Sequence, residues 1–196
     1  ALFSAGGSVS AKYGPIAAAQ GAIVIDNSSH FRMDPDVPLI VPEVNPHRLE
    51  GVGPGSIVAN PNCSTIQMLV ALAPIHREAG IDRINVATYQ SVSGAGAGGL
   101  RELAEQTAAR LTFKEPELKQ FAQPIAFNCL PQIDSMQDNG YTREEMKMVW
   151  ETRKIFEDDD IAVNATAVRV PVFFGHSEAV HLETTQEIGI DEVRRL

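Results

Sequence analysis

Residues 59–68, ANPNCSTIQM, set a cysteine between an Asn-Pro-Asn turn and the start of an apolar run. Upstream, "GPGSIVANPN" contains a short strand, Ser56 to Ala59. Downstream, "CSTIQMLVALAPIHREAGI" spaces its apolar residues as one face of a helix from about Ser64 to Ala79, with Gly80 as the stop. Pro74 lies inside that pattern and is expected to kink or shorten the helix, because it brings no N–H and crowds the preceding turn. A strand–turn–helix junction of this kind is a unit of α/β folds. If the helix begins at Ser64, the Cys63 thiol sits at the positive end of the helix dipole, beside the N–H groups that a helix start leaves without intrahelical partners. That setting lowers a thiol pKa, and the same N–H groups suit an oxyanion, with the Asn62 amide close by. The competing reading is a buried cap residue, since free cysteine is among the most buried residue types and is usually inert. Local spacing leaves both open.

Working outward, "GAIVIDNSSHFR" is a β-rich run, Ala22 to Ile25, that ends in polar turn residues. Before it, "SAGGSVSAKYGPIAAAQ" is a small-residue loop followed by an alanine-rich helix. Strand, loop, helix, strand is a βαβ pattern, which implies parallel pairing and ligands at the carboxyl ends of the strands. "VPLIVPEVNP" is broken by Pro38, Pro42 and Pro46, so any strand there is short or at an edge. On the other side, "IDRINVATYQSVSG" alternates through Ile84, Val86 and Thr88 as a long strand. "GAGAGG" is expected as a loop before the amphipathic helix "LRELAEQTAARL", and residues 111–140 carry no clear periodicity. "YTREEMKMVWETRKIF" reads as a helix capped by Thr142, with Glu145 at capping-box spacing. "IAVNATAVRVPVFF" and "SEAVHLETTQEI" read as two strands, expected to be antiparallel neighbours across "FGHS". The change of pattern places a domain boundary near Cys63, giving residues 1–62 and 63–196.

The 196 residues carry 25 acids against 16 Lys and Arg, net charge −9, with no basic patch, which argues against nucleic acid. No apolar run approaches the ~20 residues of a membrane helix. Two cysteines, Cys63 and Cys129, make no disulfide framework and point to a reducing cytoplasm. The chain opens without methionine and without a secretory signal, as a fragment or processed form would.

A cysteine nucleophile wants a base. His176 follows Gly175 at a turn between strands, from which a side chain can reach a cleft, although such a histidine is also an ordinary turn residue. His30 sits at a strand end, His47 and His76 look superficial, and His181 alternates within a strand. Arg169, in an otherwise apolar strand, needs either a carboxylate partner or a ligand. Glu144 and Lys147 share a helix face, most often a solvated pair. Arg32 either binds an anion or decorates a loop. Gly94, Gly96, Gly98 and Gly99 allow close backbone approach, but no acidic residue follows at the spacing of a dinucleotide fingerprint. No metal site is read.

Together these segments resemble aspartate-β-semialdehyde dehydrogenase, over nearly the whole chain and in the family's order. "ANPNCSTIQM" looks like its nucleophile motif, and "YQSVSGAG" like its glutamine strand and cofactor loop. "REEMK" looks like its Glu-x-x-Lys helix, "RVPVFFGHSEAV" like its Arg-and-His motif, and "DNSSHFRMDPDVPLIVPEVN" like its phosphate-arginine segment. The resemblance implies the end of a Rossmann-like dinucleotide-binding domain followed by an α+β catalytic and dimerisation domain resembling that of glyceraldehyde-3-phosphate dehydrogenase. It implies NADPH-dependent conversion of β-aspartyl phosphate to aspartate semialdehyde through a cysteine thioester, on the route to lysine, threonine and methionine. By the same resemblance Cys63 is the nucleophile, His176 the acid–base residue and Gln90 the orienting residue. Arg169 and Glu144 hold the substrate's carboxylate and amino group, while Arg32, Lys147 and Asn62 bind phosphate. Ser4, Ala5, Gly6, Ser93 and Gly94 lie on the NADP side. A homodimer or homotetramer is implied too. The family's glycine fingerprint lies before the point where this chain opens, and family members continue beyond Leu196. The chain is therefore expected to be truncated at both ends, to bind NADP poorly and to show little turnover alone. The alternatives are an N-acetyl-glutamyl-phosphate reductase-like or glyceraldehyde-3-phosphate dehydrogenase-like enzyme, or a non-catalytic paralogue that keeps the fold.

Overall fold

A computed structural model describes residues 1–196. The chain packs as two compact units. One comprises residues 1–84, 147–163 and 182–196; the other comprises residues 85–146 and 164–181.

The first unit begins with the expected βαβ arrangement. Strand β1 (Leu2–Phe3), helix α1 (Gly7–Ala19), β2 (Val24–Asp26) and β3 (Ile57–Ala59) build a parallel sheet of order β1-β2-β3. The register aligns Phe3 with Asp26 and Asp26 with Ala59. All three strands therefore end at one level, and Ser4, Asn27 and Asn60 follow them along the carboxyl edge. Asp26 is fully buried and is satisfied by the Ser10 hydroxyl at 2.6 Å, the Ser28 N–H at 3.1 Å and the Ser28 hydroxyl at 2.7 Å. The Pro-broken segment yields only an isolated parallel bridge, Leu39 to Ala59, as missing N–H groups dictate.

Helix α2 (Cys63–Ala79) starts one residue earlier than its apolar pattern suggests and runs through Pro74 without ending. The carbonyl that the proline deprives of a donor belongs to Val70, an exposed residue of the helix. Gly80 closes the helix at φ 66°, and a Cβ there would come within 2.8 Å of Thr185 Oγ1, so both conformation and space require glycine. Val24, Leu39, Val58, Met68, Leu69 and Leu72 fill the core of this unit.

The long strand β4 (Ile81–Gln90) buries Ile84, Val86, Thr88 and Gln90, the alternation expected of a half-buried strand. It lies in a second sheet with β5 (Ala162–Arg169) and β6 (Ser177–Thr184), in the order β5-β4-β6. The two strands expected to be neighbours are thus separated by β4. The connection between them crosses the end of β4: Val170 N–H donates to Gln90 O at 2.9 Å, Val92 N–H to Val172 O at 2.9 Å and Ser93 N–H to Phe173 O at 3.2 Å.

The glycine run is not the loop expected. A single 3₁₀ turn (Val92–Ala95) leads straight into helix α3 (Gly96–Leu111). Its glycines serve packing: a Cβ on Gly99 would lie 2.6 Å from the Val92 carbonyl. Val92, Leu103, Ile125 and Ala126 form a small buried cluster. The segment without periodicity has no helix or strand, and buried side chains of α3 hold it instead. The Glu102 carboxylate accepts N–H groups of Lys119, Gln120 and Phe121, and Gln106 Oε1 accepts those of Ile125 and Ala126. Helix α4 (Arg143–Phe156) opens with the expected capping box: Thr142 N–H donates to Glu145 Oε2 at 2.7 Å and Glu145 N–H to Thr142 Oγ1 at 3.3 Å. A one-turn helix, α5 (Ile190–Val193), ends the chain. No helix is long and apolar enough to cross a membrane.

Candidate active site

Cys63 is the first residue of α2 and is exposed. The buried-thiol reading fails. Asn62 precedes it in extended conformation as the N-cap, its Oδ1 accepting Ser64 N–H at 3.0 Å and Thr65 N–H at 3.3 Å. The cap fixes the direction in which the first turn leaves the sheet and sets the thiol at the positive end of the helix dipole.

Behind this helix start lies a residue that sequence reading missed. Glu151 is almost wholly buried. Its Oε2 accepts the Asn62 N–H at 2.6 Å and its Oε1 pairs with Arg32 Nη1 at 3.0 Å. Arg32 also donates to Asn27 O at 3.2 Å, and its buried Nε has no hydrogen-bond partner. Of the two readings of Arg32, the one that has it decorate a loop surface is corrected: Arg32 is buried and ion-paired. Burial pushes the Glu151 carboxyl up, opposed by the Arg32 guanidinium, the Asn62 N–H and Lys147. The signal was present but faint. Glu151 follows Lys147 by four residues on α4 and shares its face.

In the second unit, four expected residues come together. Gln90, at the end of β4, is buried and donates through Nε2 to Thr88 Oγ1 at 3.3 Å and Glu144 Oε1 at 3.4 Å. Glu144 is buried too, so it is not the solvated partner its helix spacing suggested. Arg169, at the end of β5, is buried and donates from Nη1 to Ser91 O at 2.8 Å. His176, half-buried just before β6, accepts the Ser91 N–H on Nδ1 at 3.1 Å. The neutral ring therefore carries its hydrogen on Nε2. Burial and the Arg169 charge lower the His176 pKa, against the Gly175 backbone and Glu144, which raise it. Ser91 thus serves both residues, and its hydroxyl lies 2.8 Å from that of Ser93. Gly94 is glycine because a Cβ would lie 2.7 Å from Arg169 Nη1 and 3.4 Å from His176 Nε2. Of the other histidines, His76 is less superficial than it looked. Its Nδ1 accepts the Ile81 N–H at 3.1 Å and its ring stacks on Phe156 at 4.4 Å.

The residues expected on the cofactor side fit an anionic dinucleotide. Ser4, Ala5 and Gly6 are exposed at the end of β1 and lead into α1. Gly6, at φ 94°, gives that helix no side-chain cap, and its first turn holds no acidic residue. Such a start leaves N–H groups and a positive dipole end to a phosphate. Asn27 Nδ2 donates to Ser4 Oγ at 3.3 Å and Asn60 Nδ2 to Asn27 Oδ1 at 2.8 Å, lining the carboxyl edge of the sheet where open α/β folds take ligands. No group of three or more His, Cys, Asp or Glu is arranged to hold a metal ion.

Residues 72–196 match the dimerisation domain of semialdehyde dehydrogenase, and residues 1–52 match the NAD binding domain of the same family. Aspartate-semialdehyde dehydrogenase 2 of Vibrio cholerae is 64% identical over 193 residues, covering 98% of this chain and 57% of the relative. The Legionella pneumophila aspartate-semialdehyde dehydrogenase is 57% identical over 196 residues, covering 100% of this chain and 56% of its own length. The crystal structure of the Vibrio cholerae aspartate semialdehyde dehydrogenase II complexed with ASA superposes with TM-score 0.95 at 61% identity, over 99% of this chain and 58% of that one. The Candida albicans enzyme with NADP superposes with TM-score 0.74 at 25% identity, over 99% of this chain and 53% of that one. The chain spans little more than half the length of these relatives. On the agreement of both domain matches, the chain belongs to the semialdehyde dehydrogenase family.

Proposed function

We propose that the protein of which this chain is part reduces β-aspartyl phosphate to aspartate semialdehyde and inorganic phosphate with NADPH. The observation that carries this is the placement of Cys63: an exposed thiol on the first residue of a helix whose N-cap, Asn62, is bound to both the helix and Glu151. The Cys63 thiolate attacks the acyl carbon and phosphate leaves, forming a thioester on the cysteine. Bound NADPH supplies the hydride that takes the thioester to the aldehyde and restores the thiolate. Gln90 orients the reacting carbonyl. His176, with its hydrogen on Nε2, donates to the oxygen that gains charge as the acyl carbon becomes tetrahedral. Its lowered pKa keeps the ring neutral near pH 7. Arg169 holds the substrate carboxylate and Glu144 its amino group, while Arg32, Lys147 and Asn62 bind the phosphate. Ser4, Ala5, Gly6, Ser93 and Gly94 flank the cofactor.

The same reading gives residues 1–62 to the cofactor domain and 63–196 to a catalytic and dimerisation domain, in a homodimer or homotetramer. Two cysteines outside any disulfide suit a reducing cytoplasm, and the product feeds lysine, threonine and methionine formation. The names of the relatives favour the aspartate substrate over acetyl-glutamyl phosphate. The test is phosphate-dependent reduction of NADP by the full-length protein. Aspartate semialdehyde should be oxidised, N-acetyl-glutamate semialdehyde and glyceraldehyde-3-phosphate should not, and Cys63→Ser should abolish turnover. A preference for either rival aldehyde overturns the substrate assignment. Iodoacetamide labelling of Cys63 at neutral pH no faster than a simple thiol would favour the non-catalytic paralogue.

A further inference from the structure

Glu151 has no part in the mechanism above, yet it touches two groups that the mechanism uses. One carboxylate oxygen holds Arg32 Nη1 at 3.0 Å, and the other takes the N–H of Asn62, the residue before the nucleophile, at 2.6 Å. Arg32 and Glu151 lie 119 residues apart in sequence, so the carboxylate ties the turn after β2 to the start of α2. The backbone of the Arg32 turn is held from the same helix face. Lys154, three residues on, donates to the carbonyls of Arg32 at 2.8 Å, Asp34 at 2.6 Å and Val37 at 2.9 Å. The Arg32 Nε is buried and has no hydrogen-bond partner. A buried donor without a partner is costly, and an anion at this guanidinium would relieve it.

We propose that Glu151 is a positioning residue, fixing the Arg32 guanidinium for phosphate and holding it in register with the N-cap of the nucleophile helix. The inference rests on Arg32 as a phosphate ligand in the function proposed above. A carboxylate is needed because both of its oxygens face N–H donors. Glutamine supplies one acceptor and one donor, so one of the two bonds becomes a donor–donor contact. The alternative is that Glu151 only neutralises a buried cation. Removing its charge would then strengthen phosphate binding, since a carboxylate behind the guanidinium opposes an approaching anion.

The two roles predict opposite signs in the full-length protein. Inorganic phosphate is titrated calorimetrically into the cofactor-free protein, and the KM values for phosphate and for aspartate semialdehyde are measured alongside. Glu151→Gln is expected to weaken phosphate about tenfold in both measurements, leaving the semialdehyde KM within twofold. Glu151→Asp, which keeps two acceptors and the charge, is expected to recover part of the loss and serves if the glutamine variant does not fold. In an Arg32→Lys background, Glu151→Gln should add less than twofold. Tighter or unchanged phosphate binding in either Glu151 variant overturns the proposal, as does an equal rise in both KM values. Absence of calorimetric phosphate binding to the parent protein also overturns it. The proposed function fails separately, on absence of semialdehyde oxidation.

Discussion

Replacing Gly94 with alanine puts a methyl carbon 2.7 Å from Arg169 Nη1, where ordinary contact begins near 3.4 Å. The guanidinium must retreat by about 0.7 Å, because the backbone of the Val92–Ala95 turn is pinned to the β5–β6 connection by Val92 N–H and Ser93 N–H. A retreat of that size disturbs the 2.8 Å bond from Nη1 to Ser91 O. A buried charged donor that loses its acceptor costs ~1–3 kcal/mol. Misplacing a substrate-binding group by about 1 Å costs roughly 100-fold in rate. The Gly94→Ala variant is therefore expected to lose about 10- to 100-fold in kcat/KM for aspartate semialdehyde, in steady-state assays of the full-length protein. The same cost should lower Tm by several degrees, so the assay is run well below the melting transition, where the loss is not one of folding. Activity within threefold of the parent would refute the reasoning. It would mean either that Arg169 yields without cost or that it does not hold the substrate.

His176 should titrate below the ordinary histidine value of 6.5, since burial and Arg169 both disfavour its charged form. Arg169→Met should move that pKa up and Glu144→Gln should move it down, both readable by NMR of the ring protons. The unfolded chain takes up this proton near pH 6.5 while the folded chain does not, so stability declines as pH falls through that window. A His176 pKa at or above 6.5 contradicts this. Thr142→Ala removes one half of the capping box and should cost about 1 kcal/mol. That corresponds to a drop in Tm of roughly 2–4 °C for a chain of this size, and Thr142→Ser should restore it. An unchanged melting curve would show that Glu145 satisfies the helix start alone.

Features decided by neighbours along the chain were legible in the amino-acid sequence. The Thr142–Glu145 capping box spans three residues, and the alternation of β4 records its own burial. The βαβ arrangement at the start was legible for the same reason. The pairing of β5 and β6 was not. Adjacent strands usually pair, but here an earlier strand occupies the space between, and only the hydrogen bonds of residues 170–173 reveal it. The glycine run misled because glycine reads as loop, whereas Gly99 is there to let α3 approach the Val92 carbonyl. At the site, residue types alone suggested Cys63, His176 and Arg169, but not the burial of Glu144 or Arg32. Charged residues on a helix face are usually wet, and burial depends on what the rest of the chain lays over them. Glu151 was overlooked because its partners, Arg32 and Asn62, lie 119 and 89 residues away.

Pro74, inside the helix that begins at Cys63, has a consequence for how that helix comes apart. With no amide hydrogen at position 74, the Val70 carbonyl has no donor one turn later, and the ladder of α2 lacks one rung. Any cut through the helix between Val70 and Pro74 is crossed by three ladder bonds instead of four. Fraying that starts at Gly80 meets the gap before it reaches the cysteine. In amide hydrogen exchange the end nearer Gly80 opens as its own unit, while Ile66 N–H, bonded to the Asn62 carbonyl at 2.9 Å, is held with the cap. The missing rung confines local unfolding to the far end, so the geometry of the nucleophile outlasts the melting of the turns behind it.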